Sequence, residues 1–261
     1  MTLVTRSTTG AIAHLEMTAP ERLNALSDAM IAAMQDNLTQ IANDPTIRVV
    51  ILSGNGRVFC AGHDLKEMQA GRQAPDKGAA YFKDLFDRCT QLMTAIRHLP
   101  QPVIAQVHGI ATAAGCQLVA SCDLAVAADD CRFGVNGVNI GLFCSTPMVA
   151  LSRVIGRKAA FEMLTTGRFI DAMEAKQLGL INRVVPLDDL ASSTAAFAEV
   201  IAAKLGSAVR VGKRAFYEQA EMTTDAAYAH AGAVMVQNML DADTNEGIAA
   251  FLGKRHPDWQ Q

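Results

Sequence analysis

Several signatures of common enzyme classes are missing from this chain of 261 residues. It contains no HExxH zinc helix, no GxxxxGK[ST] phosphate loop and no GxSxG nucleophile turn. Gly54 and Gly56 follow an apolar stretch, but the next glycine is Gly62, so the GxGxxG dinucleotide fingerprint fails too. The six cysteines form no CxxC pair and read as reduced, mostly buried thiols. An excess of either charge is also lacking: 23 Lys+Arg face 26 Asp+Glu, a formal net charge of −3. That balance supplies no cationic field for nucleic acid or an anionic membrane. The most apolar stretch is interrupted by Gln106, His108, Gln117 and Asp123, so no membrane-spanning helix is expected. Met1–Gly10 has no basic segment leading into an apolar run, and no secretory signal is expected. These absences describe a soluble cytoplasmic protein without nucleic-acid or membrane partners and without a metal site.

What is present is an alternation of strand and helix patterns. Strand signals fall at Leu3–Arg6, Ala11–Met17, Val49–Leu52, Val103–Val107, Leu124–Ala127 and Val184–Val185. Ser27 suits the cap of a helix whose Met30, Ile31, Met34, Leu38 and Ile41 recur at helical spacing. A second long helix carries Phe82, Leu85, Phe86, Cys89, Leu92, Met93 and Ile96 and ends before Pro100. Ser145-Thr146-Pro147 reads as a helix start, with Ser145 as cap, and Asp171-x-x-Glu174 as another. From Leu187 onward only Ala-rich amphipathic helices follow. The pattern predicts an α/β core with parallel strands over residues 1–195 and a helical capping or oligomerisation region over 196–261.

Two glycine-containing turns link strand to helix, Phe59–Lys66 and His108–Gln117. Backbone N–H groups at such turns lack intrahelical partners and carry partial positive charge. If the two strands are neighbours, both turns can direct an N–H at one oxygen. The glycines also serve simply to permit tight turns, and spacing alone leaves both readings open.

The strings Glu21-Arg22-Leu23-Asn24-Ala25-Leu26, Ala-Gly-x-Asp-Leu at 61–65 and Ala-Gly-Cys-x-Leu-x-x-x-Cys-Asp at 114–123 resemble the crotonase (enoyl-CoA hydratase/isomerase) superfamily. The likeness continues through Glu162–Gly167 and Ala175–Ile181 to Phe251–Arg255, covering nearly the whole chain in order. Within that superfamily the strings at 113–123 and 137–147 look closest to the enoyl-CoA hydratase domain-containing branch. The resemblance implies a crotonase-like spiral of ββα units with a C-terminal helical trimerisation region, assembled as trimers or dimers of trimers. It implies an acyl-CoA thioester as substrate, with coenzyme A part of that substrate and no tightly bound cofactor. Two peptide N–H groups, matched to His63 and Ala114, would polarise the thioester carbonyl. Ala114 stands where members usually carry glycine. Arg22, Leu23, Ala25, Ala61, Asp64, Leu65 and Lys66 match coenzyme A contacts, and Lys254 matches a phosphate contact often given by the neighbouring subunit. Asp64 also suits a purely local role in fixing its turn.

The departures from the family bear on mechanism. Hydratases of this superfamily use two glutamates as acid and base, and the matched positions hold Gln117 and Gly137. Neither side chain gains or loses a proton near neutral pH. Between Gln101 and Ala150 the charged residues are Asp123, Asp129, Asp130 and Arg132, with no glutamate. A two-glutamate hydration is therefore excluded, and hydration of 2-enoyl-CoA is expected to be weak or absent. Cys144, expected at a helix start where the thiol pKa falls, is a candidate nucleophile, or else a core residue. The His63 imidazole is a second candidate acid/base. Two functions stay open: an acyl-CoA enzyme with alternative chemistry, and a non-catalytic acyl-CoA binder or regulatory subunit.

Overall fold

The computed structural model describes residues 2–260 and turns the expected alternation into two sheets ringed by helices. The strands are β1 (Val4–Thr9), β2 (Ile12–Met17), β3 (Val49–Gly54), β4 (Val103–Val107), β5 (Ile110–Thr112), β6 (Leu124–Ala128), β7 (Arg132–Gly134), β8 (Phe169–Asp171) and β9 (Arg183–Val185). The larger sheet has the order β1-β2-β3-β4-β6-β9 and the smaller the order β5-β7-β8. The hairpin β1–β2 is antiparallel, and every later pair of the larger sheet is parallel.

The body helices are α1 (Asp28–Ala42), α2 (Leu65–Gly71), α3 (Ala79–His98), α4 (Ala114–Ser121), α5 (Pro147–Val154), α6 (Arg157–Thr166) and α7 (Ala172–Leu178). They are followed by α8 (Leu190–Ala202), α9 (Gly206–Gln219), α10 (Thr224–Met239) and α11 (Ala242–Leu252). Ser27 caps α1 by accepting the Met30 N–H, and Asp171 caps α7 by accepting the Glu174 N–H, as the sequence pattern predicted. At α5 the residue in the cap position is Thr146 rather than Ser145, and it makes no side-chain capping bond. Ser145 bonds instead to the Phe143 carbonyl, so the turn before Pro147 closes on itself.

Alternation along the strands sends side chains to two cores. Leu15, Val50, Leu52, Ala105 and Ala125 face α1, α3 and α4. Ile12, Val49, Ile51, Ile104 and Val126 face the other way, where Leu190 and Ala198 of α8 cover them. Residue 195 thus falls inside a helix that roofs the sheet, so the region expected to begin at 196 opens within the body's own packing. Beyond α8, the chain is tied down by one buried polar hub. Asp123 accepts from Lys213 Nζ at 2.7 Å, the Tyr217 hydroxyl at 2.8 Å and the Val103 N–H at 2.6 Å. The same ammonium donates to the carbonyls of Ile96 and Gln101. Phe216, Tyr228, Phe251 and Leu252 on α9–α11, and Leu240 at the end of α10, are largely exposed. Among the described residues no helix is long and apolar enough to cross a bilayer, and no cluster of metal-ligating side chains occurs.

Candidate active site

Because β3 and β4 are parallel neighbours, the loops leaving their C-terminal ends lie side by side. They are stitched together by Phe59 N–H to the His108 carbonyl at 3.1 Å, Cys60 N–H to Ile110 at 3.2 Å and Thr112 N–H to Cys60 at 3.0 Å. Gly62 adopts φ +89, and a Cβ built there would lie 3.2 Å from the Ala114 nitrogen. The His63 turn therefore abuts the start of α4. Neither the His63 nor the Ala114 backbone N–H has a hydrogen-bond partner among the described residues. Ala113, between the turn and α4, is held at φ 50 and ψ −118, a conformation normally left to glycine.

A third segment joins from the chain's first loop. Leu26 N–H donates to the Gly62 carbonyl at 2.8 Å, and Ala61 N–H donates to Leu23 at 3.1 Å. Asn24, fully buried, holds this loop: its amide donates to the carbonyls of Asn55 and Val58 and accepts from the Ala19 N–H. Asn24 is the residue that sequence reasoning passed over, since a lone loop asparagine looks like any turn former. Arg22 reaches Asp64 Oδ2 and Glu67 Oε1, the latter at 2.9 Å. Asp64 caps α2 by accepting the N–H groups of Lys66 and Glu67. Burial pushes the Asp64 pKa up, but these N–H donors and the Arg22 guanidinium outweigh it and hold the carboxyl ionised. The matched residues Arg22, Leu23, Ala25, Ala61, Asp64, Leu65 and Lys66 thus gather around the His63 turn. Lys254 does not join them; it follows α11, exposed and at φ 52.

The positions matched to the two glutamates also lie close to these turns. Gln117 sits one helical turn beyond Ala114, is 5% exposed, and its Oε1 has no partner among the described residues. Gly137 opens the 3-10 turn Asn136–Ile140 as its second residue, and it is buried. A Cβ there would overlap the Leu142 carbonyl oxygen and come within 2.9 Å of Cys144 Sγ. The Gly137 N–H donates to that sulfur. Burial raises the Cys144 pKa, with the Gly137 N–H opposing the rise, so the thiol is protonated at neutral pH. Cys144 also lies before α5 rather than at its first turn.

His63 splits its backbone from its ring. The imidazole turns towards α1 and α3, with Nδ1 3.4 Å from the Leu26 carbonyl and an edge contact to Phe86 at 5.7 Å. Burial lowers its pKa; the Leu26 carbonyl and Asp28 oppose, and Arg88 reinforces. The ring is therefore neutral. Around the two free N–H groups, neither α4 nor the turn Asn136–Ile140 carries an acidic or basic side chain. The arrangement offers hydrogen-bond donors to an oxygen and, from these two elements, no proton acceptor of carboxylate type.

Comparison with known proteins agrees with this architecture. The chain is similar to a solved enoyl-CoA hydratase of Mycobacterium smegmatis, with 52% identity, a TM-score of 0.95 and 99% of each chain covered. It is also similar to the solved human enoyl Coenzyme A hydratase domain-containing protein 3, with 43% identity, a TM-score of 0.93, and 98% of this chain and 100% of that one covered. The mitochondrial enoyl-CoA hydratase domain-containing protein 3 of Xenopus laevis is 46% identical over 248 residues, covering 95% of this chain and 83% of that protein. The fold is that of the crotonases. The profile of Enoyl-CoA hydratase/isomerase matches residues 7–261, and the chain belongs to that family.

Proposed function

We propose that the protein binds an acyl-CoA thioester and polarises its carbonyl oxygen with the His63 and Ala114 backbone N–H groups. The observation that carries this reading is the pair of unpartnered donors on adjoining turns. One donor of this kind is typically worth about 3–4 kcal/mol of barrier when charge develops on the oxygen. Coenzyme A enters as part of the substrate, with no tightly bound cofactor, and runs past Arg22, Leu23, Ala25, Ala61, Asp64, Leu65 and Lys66. Lys254 meets a phosphate from a neighbouring copy in a trimer or dimer of trimers. The exposed apolar side chains of α9–α11 support such an assembly. The proposed compartment is the cytoplasm, consistent with six free, buried thiols.

Hydration of 2-enoyl-CoA is weak or absent in this reading, because Gln117 and Gly137 supply neither acid nor base. The same lack favours a second reading, a non-catalytic acyl-CoA binder or regulatory subunit. Calorimetric titration with butyryl-CoA and crotonyl-CoA tests both readings, and the expected outcome is saturable binding of each. No affinity for any CoA thioester removes both. Loss of the crotonyl-CoA enoyl absorbance at rates typical of dedicated hydratases refutes the mechanistic part.

A further inference from the structure

A cavity of about 700 Å³ opens between the C-terminal end of α3 and α9, on the side of the larger sheet where β4 begins. The two turns of the candidate active site follow the opposite, C-terminal ends of β3 and β4, about 17 Å away for a strand of the length of β4. Leu99, Pro100 and Met222 give the cavity an apolar lining, and its volume is that of a small-molecule site. Three guanidinium groups border it: Arg97, Arg210 and Arg214.

The state of those charges is informative. Arg97 lies over the Tyr217 ring at 4.9 Å and holds Glu221 at 3.0 Å, yet its Nε–H is buried with no partner among the described residues. Arg210 and Arg214 stand one turn apart on α9, and neither makes an ion pair or hydrogen bond among the described residues. Lys213 is turned inward and spends its donors on Asp123 and two carbonyls. Of the bordering carboxylates, Glu221 is engaged by Arg97, while Glu218 lies 3.1 Å from His230 Nε2, a nitrogen that has no hydrogen-bond partner among the described residues. What remains is the positive charge of Arg210 and Arg214 beside an apolar wall, with the single carboxylate of Glu218 at the border.

We propose that this cavity is a second binding site, for a small amphipathic anion. Its carboxylate or phosphate-monoester group is met by Arg210 and Arg214, and its short apolar body lies against Leu99, Pro100 and Met222. Guanidinium forks suit both oxyanions. A bare inorganic anion leaves the apolar wall wet, and an uncharged apolar molecule leaves the arginines without a counter-charge.

The test is calorimetric titration of the full chain with octyl phosphate, octanoate, octanol and inorganic phosphate, each below any micelle-forming concentration. Octyl phosphate, octanoate or both should saturate with Kd below about 1 mM. Octanol and inorganic phosphate should bind at least about tenfold more weakly. R210Q/R214Q should weaken the octyl anion about tenfold or more with an unchanged Tm, and R210K/R214K should retain most of the affinity. Saturation with butyryl-CoA should leave octyl-anion binding unaltered. Failure of both octyl anions to saturate overturns the proposal. So does octanol or inorganic phosphate matching the octyl anion, R210Q/R214Q binding like the unmodified protein, or displacement by butyryl-CoA.

Discussion

Adding a side chain at Gly137 should harm the protein, and the size of the harm can be worked from the backbone. A Cβ at this position overlaps the Leu142 carbonyl oxygen and falls 2.9 Å from Cys144 Sγ. The first obstacle is main chain, anchored by the Leu142 N–H bond to Gly137 at 3.0 Å and the Gly141 N–H bond to Val138 at 3.1 Å. Overpacking of this kind costs about 1–3 kcal/mol. Gly137 is not in the left-handed region, so alanine pays no conformational penalty there and gains about 0.4–1 kcal/mol from its stiffer unfolded chain. The net loss for Gly137→Ala is between about 0 and 2.6 kcal/mol. For a chain of this size that lowers Tm by up to roughly 10 °C. Gly137→Glu should cost more, because it adds a carboxylate to a buried position. Thermal unfolding by circular dichroism measures both, with Gly212→Ala as control, since its added methyl meets open space. In a Cys144→Ala background more than half of the Gly137→Ala penalty should persist, because the carbonyl remains. A Tm for Gly137→Ala above that of the unmodified protein refutes the reasoning.

Two other substitutions follow from strained or buried groups. Ala113→Gly relieves a left-handed alanine, worth about 1–3 kcal/mol, against glycine's entropy of about 0.5–1 kcal/mol. Its Tm should rise by a few degrees, and a fall would show that the backbone at 113 stores no strain. Asp123→Ala strips the partner from a Lys213 side chain only 6% exposed, which should cost about 3–5 kcal/mol by denaturant unfolding. Lys213→Met should cost less, because Asp123 keeps its bonds to Tyr217 and Val103. Stability of Asp123→Ala within about 1 kcal/mol of the unmodified protein would sink the idea that this hub holds α9.

The parts of the fold readable in sequence are those where one strong local rule acts alone. Strand β4 occupies the range its apolar run predicts, and Ser27 and Asp171 cap the helices their spacing announces. The three-residue strands β5, β7 and β8 were illegible because no periodicity develops over three positions and, unlike β9 with its Val184-Val185 pair, none carries adjacent β-branched residues. They exist because neighbouring loops bring their backbones together. The seven matched residues from Arg22 to Lys66 converge as a motif reading suggests, yet the residue that holds their loop, Asn24, gave no signal of its own. Ala113 was equally silent, since alanine does not advertise a positive φ. The constraint on Gly137 comes from a carbonyl five residues later, and only the folded turn brings the two together.

These details bear on what Gln117 and Gly137, the positions matched to acid/base glutamates in the proposed reading, could accommodate. A site that had merely shed a carboxylate from an otherwise unchanged backbone would regain it by one substitution. At Gly137 that route is closed, because the space next to the α-carbon is taken by the Leu142 carbonyl and the Cys144 thiol. The turn closes around a residue without a side chain. On the neighbouring turns the opposite holds. Two N–H groups stay unpartnered, and Ala113 is kept in a conformation costing about 1–3 kcal/mol. A domain with a typical margin of about 5–15 kcal/mol sheds such features readily unless something uses them. The proposed reading accounts for both halves: the donors that would hold a thioester carbonyl are kept, while the place of the second acid/base group is built shut. Introducing both carboxylates, as Gln117→Glu/Gly137→Glu, should therefore leave crotonyl-CoA hydration far below that of a dedicated hydratase. Hydratase-like turnover by that variant would mean that the turn yields easily and that the closed geometry at Gly137 does not decide the chemistry.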